Sequence, residues 1–242
     1  MNFLYKTSFY KILKNKLDNK IPREEFVRKQ LSLIGEGASI LDAGCGTQQY
    51  KKYCNHLNYK SQDLGEYSEE EPNIISSSIS EHYNKGVYEI TNLDYTGNIW
   101  NIDEVDEKFD CILCTEVLEH IPYPNETITE LSRLLKPGGK LILTMPSNCL
   151  RHFDPFFFYS GFSDNWIKKI LEDNNFFIDI LDPVGDYYSW MNAEIARTSM
   201  SQGILAKAML LPAFVYYFFK KPTSISKASL CFGYHVVATK SH

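Results

Sequence analysis

Cysteine is scarce in this chain: six residues in 242, at 45, 54, 111, 114, 149 and 231. That is too few for a disulfide framework in a sequence of this length, and the expected compartment is a reducing one, the cytoplasm. No apolar run reaches the roughly 20 residues that span a bilayer. The opening stretch, "MNFLYKTSFYKILKNKL", scatters Lys6, Lys11, Lys14 and Lys16 among its apolar residues. It has neither a continuous apolar core nor a small-residue cleavage site, and so does not read as a signal peptide. Positive charge is in deficit, 25 Lys and Arg against 30 Asp and Glu for a net charge of −5, which argues against long nucleic acid as a partner. No internal repeat is visible.

What is present is ordinary for a globular protein, 44% hydrophobic and 23% charged residues. At roughly 150 residues per domain, 242 residues predict one elaborated domain over 1–242. We divide it into a helical cap at 1–35, a core at 36–147 and a substrate-side decoration at 148–242. Phe26, Val27, Leu31 and Ile34 recur at helical spacing in the cap, with Pro22 and Gly35 as boundaries.

From Ala38 onward, short apolar runs alternate with amphipathic segments, the pattern of a doubly wound α/β core. "ASILDAG" is the first strand. Tyr50, Tyr53, Cys54 and Leu57 then predict a helix, and Tyr59 to Asp63 a second strand. Residues Glu66 to Lys85 read as a polar excursion, and Val87 to Leu93 as a third strand. Phe109 to Cys114 is the fourth, followed by a helix opened by Pro124 and Asn125 and closed by "KPGG" before a fifth strand, Lys140 to Met145. Beyond it come a helix capped by Ser163, a strand at Phe176 to Leu181 and a closing strand at Ser229 to Thr239. The apolar stretch Gly203 to Phe219 is read as a buried or lid helix pair in preference to a membrane contact; it either covers the active site or forms a homodimer interface.

The strongest motif is "ILDAGCGTQQY", Ile40 to Tyr50: a strand ending in an acidic residue, then a Gly-x-Gly turn expected to open a helix. Gly44 and Gly46 permit positive φ and let a ligand approach the backbone. A dinucleotide fingerprint would need a third glycine where Gln49 stands. A nucleoside site next needs a carboxylate after the second strand for ribose hydroxyls, and Asp63, followed by Leu64, is placed for it. Asp94, after the third strand, is positioned to accept an adenine amino group, with Tyr95 covering the ring.

Together "LDAGCGT", Asp63, "FDCILCTEVLEHIPYP" and "LSRLLKPGGKLILTMPS" resemble the class I S-adenosylmethionine-dependent methyltransferases, particularly the small-molecule branch with "TEVLEH" after the fourth strand. The match runs from Ala38 to Ser147. The resemblance implies a Rossmann-like, mostly parallel seven-stranded sheet, S-adenosylmethionine as cofactor and S-adenosylhomocysteine as product. By that similarity Asp42 and the turn Gly44, Cys45, Gly46 contact the methionine part, Asp63 and Leu64 the ribose, and Asp94 and Tyr95 the adenine. Cys114, Thr115 and Glu116 line the wall beside the sulfonium. Further on, "RHFDPFFFYSGFSDNWI" and "GDYYSWMNAEIAR" resemble segments of methyltransferases associated with surface-polysaccharide biosynthesis, which implies an O-antigen or capsule glycan as the setting.

Methyl transfer is an in-line displacement, so holding the nucleophile in line supplies much of the catalysis. A sugar hydroxyl also gains from a general base, most often His. His152, oriented by Asp154, is the first candidate, and His120 in "LEHIP" the second, with a cofactor-shaping role as its alternative. Tyr5 and Tyr10 either close the pocket from the cap or pack against it. Arg151, Arg197, Tyr159, Tyr187 and Tyr188 are the residues expected to bind a hydroxyl-rich or anionic small molecule. The runner-up activity is N-methylation of a phosphorylated amine such as ethanolamine phosphate. A reading of another class is a non-catalytic module that keeps the cofactor pocket. Cys111 and Cys114 have C-x-x-C spacing, but three positions apart on a strand they face opposite sides and no second pair exists, so no metal site is expected.

Overall fold

The computed structural model describes residues 14–65 and 92–242. Tyr5, Tyr10, the polar stretch 66–85 and residues 87–91 of the expected third strand lie outside them. Helix α1 spans Lys20–Leu31 and buries Val27 and Leu31. Pro22 falls in its first turn, where a missing N–H loses no helical hydrogen bond.

Among the described residues the sheet has seven strands: β1 (Ser39–Ala43), β2 (Asn58–Asp63), β3 (Tyr95–Thr96), β4 (Phe109–Thr115), β5 (Leu135–Pro146), β6 (Phe176–Val184) and β7 (Gly233–Lys240). Their spatial order is β3-β2-β1-β4-β5-β7-β6. β1 pairs in parallel with β2 and β4, and β4 with β5, while β7 runs antiparallel to both neighbours. The doubly wound, mostly parallel seven-stranded sheet implied by the resemblance is therefore what the chain forms. Strand order reverses between β1 and β4, and in open α/β sheets a ligand crevice opens at the carboxyl ends beside such a switch point.

Side-chain alternation along the central strands feeds a core on each face. Leu41, Ile112, Cys114, Leu141 and Leu143 point to one side, under α2 (Pro124–Leu134) and α3 (Asp164–Asp173). Ile40, Cys111, Leu113 and Ile142 point to the other, under α1. Cys111 and Cys114 thus sit on opposite faces, and all six cysteines are free thiols. α2 buries Ile128, Leu131 and Leu134 along one stripe, and α3 starts where the Ser163 hydroxyl accepts from Trp166 N at 3.2 Å.

Several local expectations are corrected. The periodic residues after β1 do not make an α-helix: Gln48 has φ +55°, which breaks a right-handed helix, and only a 3₁₀ turn, Lys51–Tyr53, follows. Tyr50, Cys54 and Leu57 are still buried. Among the described residues the strand after β2 is Tyr95–Thr96; of the expected run Val87 to Leu93 only Asn92 and Leu93 are described, and neither is in a strand. β5 begins at Leu135, so "KPGG" lies within the strand at a register shift against β4. β6 runs on to Val184, and the stretch before β7 contains α6 (Ser224–Ser229).

Gly203 to Phe219 is not a buried pair. After α4 (Tyr187–Ser201) it forms one helix, α5 (Ile204–Phe218), with no buried residue and with Ile204, Leu205, Met209 and Phe219 largely exposed. α5 rests on α4, where Tyr188 stacks on Tyr217 at 6.3 Å. Among the described residues, no helix is long and apolar enough to cross a membrane.

Candidate functional site

The glycine turn sits at the carboxyl end of β1. Gly44 and Gly46 take φ of +70° and +49°. A Cβ on Gly44 would lie 2.5 Å from Val117 Cγ2, so both backbone sign and space require glycine there. The turn's N–H groups are not a free helix start: Gly44 and Cys45 donate to Gln62 O at 2.9 and 3.0 Å, and Gly46 donates to Asp63 Oδ2 at 2.8 Å. The turn is thereby clamped to the end of β2, and the Asp63 carboxylate is held against it.

A cavity of about 910 Å³ opens from this turn, within the size range of small-molecule sites. One end is lined by Gly44, Cys45, Gly46, Asp63 and Leu64, and faces Gly97, Asn98, Ile99 and Trp100 after β3. A Cβ on Gly46 or Gly97 would meet nothing within 4 Å, so the bare backbone borders open space on both sides. The other end is lined by Thr115, Glu116, Val117 and His120 after β4, by Arg151, His152, Phe153, Phe156 and Phe158, and by Trp190, Glu194 and Arg197 of α4.

Five cofactor candidates, Gly44, Cys45, Gly46, Asp63 and Leu64, therefore meet at one end, with Thr115 and Glu116 beside them. Four do not reach the cavity. Asp42 is buried beneath the turn, accepting from Tyr59 Oη at 2.7 Å. Burial pushes its carboxyl up to about 7, against the Tyr59 hydrogen bond and with help from the Asp63 charge. Asp94 precedes β3 and is taken up by Lys60 Nζ at 2.7 Å and Ser61 N at 3.0 Å. Tyr95 donates to Glu104 at 2.6 Å and packs edge-on against Phe109. Cys114 points into the core, as its place in the strand alternation requires.

On the acceptor side His120, His152, Arg151 and Arg197 line the cavity, whereas three tyrosines do not. Tyr159 lies in a separate cleft with Tyr123 and Trp166, and Tyr187 and Tyr188 pack on Tyr217 of α5. Both arginines carry partners: Arg151 Nε lies 2.9 and 3.0 Å from the two Asp154 oxygens, and Arg197 pairs with Glu194.

Four residues that sequence reasoning passed over belong to the site. Arg23 crosses from α1 to pair with Glu116 at 2.7 Å. Burial opposes its charge, but Glu116 and the Tyr50 hydroxyl more than compensate. Glu116 itself has φ +52° and accepts from Thr144 Oγ1 at 2.9 Å, which fixes the wall after β4. Trp100 lines the cavity where Tyr95 does not. Gly97 borders the opening, and its signal, a Gly after the third strand, was readable. Glu119, in "TEVLEH", is 2% exposed; burial first, and then the Glu116 charge, push its carboxyl well above the usual range.

The histidines sit edge to face, with ring centroids 4.8 Å apart. His120 Nδ1 lies 2.5 Å from Phe156 O and His152 Nδ1 lies 2.7 Å from Leu150 O. A carbonyl only accepts, so both Nδ1 atoms carry the proton and both Nε2 lone pairs stay available. Burial drives the His120 pKa down to about 4, keeping that ring neutral.

A glycine turn clamped to the Asp63 carboxylate at the switch point of a mostly parallel seven-stranded sheet is the fold and crevice of the class I methyltransferase type. Residues 17–193 match the family described as "Methyltransferase domain", and the chain belongs to that family. It is 32% identical over 126 residues to the Ubiquinone biosynthesis O-methyltransferase of Xanthomonas oryzae pv. oryzae, covering 50% of this chain and 48% of that protein. Against the mitochondrial Ubiquinone biosynthesis O-methyltransferase of Dictyostelium discoideum it is 28% identical over 133 residues, 52% of this chain and 40% of that one. The chain thus spans half or less of the length of these relatives. Phosphoethanolamine N-methyltransferase 2 of Haemonchus contortus, solved in complex with S-adenosyl-L-methionine, shares the fold at TM-score 0.50 and 14% identity, over 90% of this chain and 53% of that one. The cyclase SpnF shares it at TM-score 0.52 and 16% identity, over 89% and 80%.

Proposed function

We propose that this enzyme transfers the methyl group to a hydroxyl of a small molecule bound between His120, His152 and the loop at 151–158. The observation that carries this is the two-ended cavity, with Asp63 and the glycine turn at one end and the imidazoles of His120 and His152 at the other. S-adenosylmethionine supplies an electrophilic methyl on a sulfonium. In this reading Asp63 binds the ribose hydroxyls, Ile99 and Trp100 flank the adenine, and the Arg23–Glu116 pair fixes the wall beside the transferred group. His152 and His120 present lone pairs to the acceptor, where a hydroxyl, unlike a neutral amine, needs a partner for its proton.

Hydroxyl transfer is favoured over a phosphorylated amine because Arg151 and Arg197, the phosphate-gripping candidates, are already neutralised by Asp154 and Glu194. Phe153, Phe156 and Phe158 make that end aromatic, which suits a phenol or the apolar face of a sugar. O-methylation is also what the names of the curated relatives describe. The surface-glycan setting rests on the resemblance of residues 151–167 and 185–197 alone, and the cytoplasmic location on the free thiols. In the same reading the exposed side of α5 faces a second copy of the chain, a state that sedimentation equilibrium would report.

Calorimetric titration with S-adenosylhomocysteine tests the site: micromolar binding is expected, weakened at least tenfold by Asp63→Ala. No binding by the wild type would refute the reading. Turnover would then be sought with a sugar nucleotide, a phenol and phosphoethanolamine; binding without turnover on any of them favours the non-catalytic module.

A further inference from the structure

Two histidines that line the acceptor end of the cavity, His120 and His152, meet a buried carboxyl behind them, that of Glu119. Glu119 and His120 leave the 3₁₀ turn Leu118–His120 after β4, and His152 reaches in from the loop after β5. One ligand atom from each lies within 4.8 Å of the other two. Glu119 Oε2 is buried and has no hydrogen-bond partner. Glu119 Oε1 lies 3.7 Å from His120 Nε2. A buried carboxyl with an unpartnered oxygen beside two imidazole nitrogens is costly unless it keeps a proton or a cation takes that proton's place.

We propose that Glu119, His120 and His152 form a binding site for one divalent transition ion. Each imidazole has its Nδ1–H engaged by a backbone carbonyl, Phe156 O for His120 and Leu150 O for His152. That is the arrangement by which proteins fix the tautomer of a metal-ligating histidine and aim its Nε2 inward. Two imidazoles and one carboxylate suit Zn²⁺, Co²⁺ or Fe²⁺ better than Mg²⁺ or Ca²⁺, which prefer oxygen ligands. Ligands about 2.1 Å from a tetrahedral ion stand about 3.4 Å apart, so the cluster needs to contract by about 1 to 1.5 Å at its widest. His152, the loop-borne member, supplies that movement by side-chain rotation.

Among the described residues three protein ligands are available, so a fourth position opens toward the cavity, the arrangement of catalytic rather than structural sites. One carboxylate against a +2 ion leaves net positive charge there. The site therefore takes an oxygen donor, and an acceptor hydroxyl placed on it loses its proton to solvent more readily. This deepens the hydroxyl-transfer reading, in that the histidines act through the ion rather than as direct proton acceptors. Ion binding itself does not depend on that reading.

The test is titration of the EDTA-treated full chain with Co²⁺, following its visible d–d absorption, with Zn²⁺ competition by calorimetry. One equivalent is expected, displaced by Zn²⁺. His152→Ala and Glu119→Gln should each weaken it roughly 10- to 100-fold or more, and Cys149→Ser, which alters the thiol on the same wall, should leave it intact. His152 sits in a surface loop, so its variant tests the site even if Glu119→Gln fails to fold. Absence of stoichiometric Co²⁺, equal binding by His152→Ala, or loss only in Cys149→Ser would overturn the proposal. Failure to bind S-adenosylhomocysteine would sink the methyl-transfer reading alone, and failure to bind Co²⁺ only this one.

Discussion

Replacing Asp42 with Asn should change how stability depends on pH. Asp42 is 2% exposed, it accepts a hydrogen bond from the Tyr59 hydroxyl, and burial raises its pKa from 3.8 to about 7. A carboxyl whose folded pKa lies above its unfolded value contributes stability that is complete below the unfolded pKa. That contribution is lost as pH rises through the folded one. A shift of about 3 units at 1.36 kcal/mol per unit makes the total about 4 kcal/mol, of which about 2 to 3 kcal/mol is lost between pH 5 and pH 8. Asparagine keeps the shape and can still accept from Tyr59, but it has no proton to lose. In urea titrations the variant should therefore gain about 2 to 3 kcal/mol on the wild type between pH 5 and pH 8. Comparing the two chains at each pH cancels the histidines. Parallel stability curves would refute the argument, because they would mean that water or a cation already solvates Asp42.

Acid should act in the opposite direction through the buried histidines. His235, stacked on Phe26 at 4.5 Å, and His120 both have pKa values lowered from 6.5 to about 4. A lowered folded pKa means stability present above pH 6.5 and lost toward pH 4, up to about 3 kcal/mol each. His235→Phe should flatten that acid slope in thermal melts at pH 4.5 and 7. Gly44→Ala, which meets Val117 and needs φ +70°, should destabilise the fold by about 1 to 3 kcal/mol and weaken S-adenosylhomocysteine binding. Its melting temperature and titration check both effects. Arg23→Ala should lower turnover more than cofactor affinity, because it frees Glu116 on the wall rather than touching the ribose end; steady-state kinetics beside the titration separates the two.

The central strands and the glycine turn were legible because their signals are local: apolar alternation, two glycines, and an acidic residue where β2 ends. Asp63 followed from spacing along the same unit. Asp94 and Tyr95 do not line the cavity, because β3 is only two residues long and begins at Tyr95. Asp94 consequently falls before the strand and pairs with Lys60, leaving Gly97 to Trp100 at the cavity. Tyr187 and Tyr188 were assigned to the substrate for being aromatic in a decorated region, but helix phase turns them toward α5. Arg23 and Glu119 carry no local signal, since each gains its role from partners brought together by the sheet. Glu119 stands beside a histidine in the sequence, yet His152 joins them only because β5 returns the chain to the end of β4.

That return also limits how the acceptor can enter. Phe158 N and Tyr159 N both donate to Glu119 O, at 3.0 and 3.1 Å, and the His120 ring holds Phe156 O. Lifting the aromatic loop breaks all three bonds, at about 1 kcal/mol each, so the lifted state is populated on the order of 1% of the time. A ligand arriving under that loop would associate about a hundredfold more slowly than through a standing opening. It would also leave as slowly, which favours completing the reaction over releasing an unreacted acceptor.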